Sequence, residues 1–92
     1  MSAQGTTTID FGAAPGTNVI TKTITGQTGI TSSMYVEAFI MNTASADHNA
    51  YEHMIVPLQL RCGNIVEGVG FDIVAVCFVQ LTGTWNVYWV YN

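Results

Sequence analysis

Phe71–Gln80, "FDIVAVCFVQ", decides the fold. A run of this length, rich in β-branched and aromatic residues and bounded by glycines and a Leu-Thr-Gly turn, reads as a strand. It is apolar at odd and even positions alike, which marks a central strand covered on both faces. Seven apolar residues in a row, Ile73–Val79, fall far short of the roughly 18 that a membrane helix needs.

The flanking segments repeat the β signature. Downstream, "WNVYWVYN" alternates, with Trp85, Val87, Trp89 and Tyr91 on one face and Tyr88 and Val90 on the other. Upstream, "MYVEAFIMN" (34–42) puts Met34, Val36, Ala38 and Ile40 towards a core. It puts Tyr35, Glu37, Phe39 and Met41 on a face too aromatic to be left to solvent, so a neighbour is expected over it. In "EHMIVPLQLRC", Met54, Val56, Leu58 and Leu60 are assigned inward, and His53, Ile55, Pro57, Gln59 and Arg61 outward. Pro57 cannot donate to a ladder, so this strand is an edge or carries a bulge. "TTTIDF" (6–11) and "VITKTIT" (19–25) supply two more strands around a Pro15-Gly16 corner. The glycines of "GNIVEGVGF" serve a turn, since no helix or lysine follows to make a phosphate loop. The sum is one domain, residues 1–92, all-β: a compact antiparallel sandwich, jelly-roll-like, of six to seven strands, with an open barrel as the alternative. Residues 1–5 are polar and read as a flexible arm, or as a strand that pairs only on assembly.

Composition restricts the function. A chain of 92 residues buries only about 60–65% of its unfolded surface and gains from outside support. Charged residues make up 9%, against about 25% in ordinary soluble domains, so little opposes self-association. The only cations are Lys22 and Arg61, and the net charge is −4. Nucleic acid and anionic membrane surfaces are therefore not expected partners. "MSAQGTTTID" has neither a basic start nor an apolar core, so synthesis in a cytoplasm is expected. In that compartment Cys62 and Cys77, whose spacing fits no zinc or redox motif, are read as small hydrophobes, not a disulfide.

The chemistry-bearing residues concentrate in "ADHNAYEH" (46–53). His48, Glu52 and His53 are candidate metal ligands, but H-x-x-x-E-H is not the zinc-protease order, and helix propensity here is poor. The competing reading is a hydrogen-bonded loop, with Asp47 and Asn49 bonded to nearby backbone. Ser45, Asp47 and His48 crowd one loop, the wrong geometry for a triad, and no enzyme and no cofactor are expected. The tryptophans Trp85 and Trp89 could stack a sugar, against the simpler reading that they fill the core.

Taken in order, "IDFGAAPG", "VEAFI", "ADHNAYEHMIVP", "IVEGVGFDI" and the "WNVYWVYN" terminus resemble a family of small virion proteins of tailed bacteriophages. The resemblance runs from Thr6 to Asn92 and rests most on "ADHxAxEH" with "IVxGxGF". It implies a structural virion protein and no catalytic residues. The expected role is a capsid decoration, cement or head-fibre protein, self-associated as a trimer and bound to the major capsid protein. The alternative is a tail fibre or receptor-binding tip that engages a host glycan. Expected interface residues are Tyr35, Phe39, Met41, Asp47, His48, Glu52, His53, Ile55, Tyr88 and Val90.

Overall fold

The computed structural model describes residues 3–92. Six strands form two three-stranded antiparallel sheets that pack face to face as a sandwich. They are β1 (Ala3–Asp10), β2 (Thr17–Ile24), β3 (Val36–Ile40), β4 (Gln59–Val66), β5 (Gly70–Leu81) and β6 (Thr84–Tyr91), with one short helix, α1 (Ala50–Ile55). The first sheet has the order β1-β6-β3 and the second β2-β5-β4. Each sheet is thus built around one of the two longest apolar segments of the sequence. Among the described residues, no helix is long and apolar enough to cross a membrane.

The core lies between the inner faces. Ile9, Trp85, Val87, Trp89 and Tyr91 come from the first sheet and Ile24, Phe71, Ile73, Ala75 and Cys77 from the second, all buried. Phe71 meets Trp89 and Tyr91 edge-on, at centroid distances of 5.4 and 6.2 Å, and so ties the two sheets together. A side chain such as Ile73, with no exposed surface, contributes about 1.5–3 kcal/mol by leaving water. Gly5 lies opposite Trp89 in the ladder, and the indole occupies the space a Cβ would need. Trp85 and Trp89 are therefore core residues, and neither offers a face to a sugar.

Four expectations need correction. Ala3–Gly5 are already paired with Trp89–Tyr91 in the single chain, so they are not an arm awaiting assembly; Met1 and Ser2 lie outside the described residues. "AYEHMI" is helical, and the strand begins only at Gln59. Within the helix the in-and-out assignments of two residues reverse: His53 is 1% exposed, whereas Met54 stands in solvent. From Ile55 onward they hold, with Val56, Leu58 and Leu60 packed against the core and Ile55, Pro57, Gln59 and Arg61 exposed. Finally, β5 is central within its sheet but covered on one face only. Its outward side chains Val74 and Val76 are half-buried and Phe78 is 82% exposed.

Candidate functional site

The "ADHNAYEH" corner closes one end of β6. That strand needs two neighbours, and β3 supplies the second only as far as Val87 and the bond from Met41 N–H to the Asn86 carbonyl. Beyond it, the N–H of Asn86 and both backbone groups of Thr84 have no strand to pair with on that side. Side chains take its place. Asp47 accepts from Thr84 N–H at 2.9 Å, and Ser45 Oγ donates to the Thr84 carbonyl at 2.6 Å. Asn86 N–H donates to His53 Nε2 at 3.0 Å. Backbone polar groups in such a place must be satisfied by something. Three side chains here act as a surrogate strand.

Helix α1 exists to hold His53 in that position. Asn49 caps it by accepting from Glu52 N–H at 2.8 Å, while Glu52 Oε1 accepts from Asn49 N–H at 2.9 Å. This reciprocal capping box, N-x-x-E, was visible in the sequence as Asn49…Glu52 and outweighs the weak helix propensity of a six-residue segment. His53 Nδ1–H then donates to the Asn49 carbonyl at 2.9 Å. Both ring nitrogens are committed to backbone, which leaves no lone pair for a metal.

His48 is also occupied. Its Nε2–H donates to the Thr82 carbonyl at 2.6 Å, and its Nδ1 faces Glu52 Oε2 at 3.1 Å. The ring stacks on Trp85 at a centroid distance of 3.8 Å and an interplanar angle of 18°. Burial alone would depress its pKa. The Thr82 carbonyl, Glu52 and Asp47 outweigh that and hold it above the usual value of 6.5. These contacts stabilise the imidazolium relative to that of a free histidine, and the indole face adds a cation–π attraction. Two hydrogen bonds from Thr84 lower the Asp47 pKa, and the Asn49 N–H, followed by His48, lowers that of Glu52. Gly83 carries a φ of +73°, and a Cβ there would press on Asp47.

The candidate metal ligands His48, Glu52 and His53 are brought together but spent on one another and on backbone. Among the described residues no group of three His, Cys, Asp or Glu side chains could hold an ion. The interface assignment also changes here. His53 is too deeply buried to touch a neighbour and His48 is largely covered, while Asp47 and Glu52 fasten the corner and still reach solvent.

The remaining expected contact residues fall into two places. Tyr35, Phe39, Met41, Tyr88 and Val90 share the outer face of the first sheet, because Phe39 pairs with Tyr88 and Glu37 with Val90. Tyr35 is 82% exposed and Phe39 is 50% exposed, while Tyr88 is tethered through its hydroxyl to Gln4 at 2.6 Å. Ile55 sits elsewhere, with Tyr51 and Met54 on the exposed side of α1. The sequence reading missed the outer face of the second sheet, where Phe78 lies near Val19 and Val76. Parity along β5 locates it: with Phe71 buried, Phe78 seven residues on must point out.

Between the free edges of β3 and β4 runs a lateral cleft of about 340 Å³. Val36, Glu37, Ala38 and Phe39 line one side, and Leu60, Arg61 and Cys62 the other. Cys62 and Cys77 are free thiols. Burial, reinforced by the Glu37 carboxylate, pushes the Cys62 pKa up to about 11, which makes it a packing group and not a nucleophile.

The chain matches no protein-family model, no curated protein and no solved structure.

Proposed function

We propose that this protein is a self-associating structural component of a bacteriophage virion, a decoration or cement protein of the capsid. The observation that carries the association is the pair of uncovered outer faces. Tyr35 and Phe39 on one sheet, and Phe78 with Val19 on the other, present large apolar side chains that no described part of the chain covers. A solitary domain gains nothing from them, whereas an array does. The low charge of the chain supports the same reading, since few charges must be desolvated at each contact. The histidine corner supports it by elimination of chemistry: its polar groups are consumed in holding β6. The virion assignment itself comes from the family resemblance of the "ADHNAYEH" and "IVEGVGF" segments.

Repeated weak contacts would stabilise both the small domain and the shell it covers, through mass action and effective concentration. The test is the oligomeric state of the purified protein by sedimentation velocity, together with its binding to emptied capsids. An oligomer that adds to capsids in hundreds of copies supports the proposal. A monomer at all accessible concentrations, with no affinity for capsids, overturns it.

A further inference from the structure

The two lateral sides of the sandwich are built differently. On the β1/β2 side, Lys22 pairs with the fully buried Ile73 and so points towards the inner face of an edge strand. An inward charge on an edge strand opposes pairing with another chain. The β3/β4 side has no such guard. Its inward residues are Val36, Ala38 and Ile40 on β3 and Leu60 and Cys62 on β4, all half-buried. Tyr35 and Met41 spend their backbone bonds on β6, so the alternate residues Val36, Ala38 and Ile40 turn theirs to the open side.

The same side carries opposite charges on its two edges. Glu37 stands exposed on β3 and Arg61 exposed on β4. Among the described residues neither has an ion-pair partner. Arg61 is one of only two cations in the chain, so its placement beside an unguarded edge is specific.

We infer that the β3/β4 side is a seam between two copies of this chain, with β3 of each pairing to β4 of the other about a two-fold axis along the strands. This deepens the self-association reading and rests on it. The geometry is consistent at each step. The turn between β5 and β6 reverses the chain, and β3 is antiparallel to β6 as β4 is to β5, so β3 and β4 run in opposite directions. A half-turn about the strand axis therefore sets β3 beside the partner's β4 as an antiparallel pair, with the two outer faces on the same side. Placing Glu37 opposite Arg61 puts Ala38 opposite Leu60 and Val36 opposite Cys62. Inward residues meet inward ones and outward meet outward, as the pleat demands. These residues, with Phe39, are also the lining of the cleft, whose apolar floor the seam would cover. The interface is reciprocal, as a two-fold requires, so each charge pair forms twice.

The test is charge reversal read by sedimentation velocity, with circular dichroism to confirm that each variant is folded. Glu37→Arg sets two guanidinium groups against each other across the seam, and Arg61→Glu sets two carboxylates against each other. Each alone should weaken self-association by roughly tenfold or more. Mixing the two variants gives a heterodimer in which one contact carries both native charges and the other carries both reversed ones, so opposite charges face at each. The double variant E37R/R61E restores both pairs in a homodimer. Recovery in both arms establishes the seam. Unchanged association of the single variants, or weakening that mixing does not relieve, overturns the seam while leaving association through the sheet faces intact. A wild-type chain that never associates overturns both.

Discussion

His53→Leu is the substitution that tests the surrogate strand. The two side chains are similar in volume, so little cavity is left, and leucine is the better core residue by transfer. A purely apolar view of a 1% exposed site therefore expects a neutral or stabilising change. The hydrogen bonding argues the reverse. Asn86 N–H loses its acceptor at 3.0 Å in a place where β3 no longer runs, and an unsatisfied buried donor costs about 1–3 kcal/mol. The Asn49 carbonyl loses its donor too, but Asn49 is exposed and water can replace it. Loss of the imidazole against Trp85, 5.0 Å away, adds a smaller amount. The expected total is about 2–4 kcal/mol, a large share of the roughly 5–14 kcal/mol available to a domain of this size. With a urea m-value of about 1.5 kcal/mol/M, the midpoint falls by about 1–3 M. Equilibrium unfolding followed by tryptophan fluorescence measures it directly, since Trp85 sits in the corner. A midpoint for His53→Leu equal to or above that of the wild type would refute the claim that side chains close the edge of β6.

Three further outcomes follow from the same geometry. The folded pKa of His48 lies above 6.5, so its contribution to stability is complete below that value and is lost as pH rises through the folded pKa; those of Asp47 and Glu52 lie below 3.8 and 4.5, so their contributions hold above those values and are lost as pH falls. Melting temperature should therefore be highest in the mildly acidic range, and His48→Gln should remove the decline on the alkaline side; an unchanged profile in that variant would count against the imidazolium clamp. Asn49→Ala should cost about 1 kcal/mol by removing the cap of α1, seen as a lower denaturation midpoint. Gly5→Val forces a branched side chain into the Trp89 indole and should cost about 1–3 kcal/mol or more in the same assay, whereas Gly63→Ala, where a Cβ meets nothing within 4 Å, should cost less.

Strand periodicity made most of the sandwich legible. β3 and β6 follow from period-two alternation, because a buried face imposes that period directly, and β5 follows from its unbroken run of β-branched and aromatic residues. The helix escaped because "HMIVPLQL" carries an alternation of its own, while the capping box of Asn49 and Glu52 is a local polar signal that hydropathy does not register. The role of the histidines could not be read from spacing. Their partners across the fold, Thr82 for His48 and Asn86 for His53, lie more than thirty residues away, and only the sheet brings them together. Phe78 was misjudged for the opposite reason: an apolar run identifies a strand's place in its sheet but not whether its second face is covered by the same chain.

The surrogate strand also sets where this domain opens. Protection of the Thr84 and Asn86 amides from hydrogen exchange is governed by a loop and a six-residue helix, not by a ladder. Unwinding that helix leaves the rest of the sandwich intact yet bares a backbone template from Thr84 to Asn86, flanked by the apolar end of β6. The event most hazardous to solubility is thus a local one, far less costly than global unfolding, and the protonation of a single imidazole adjusts how often it occurs.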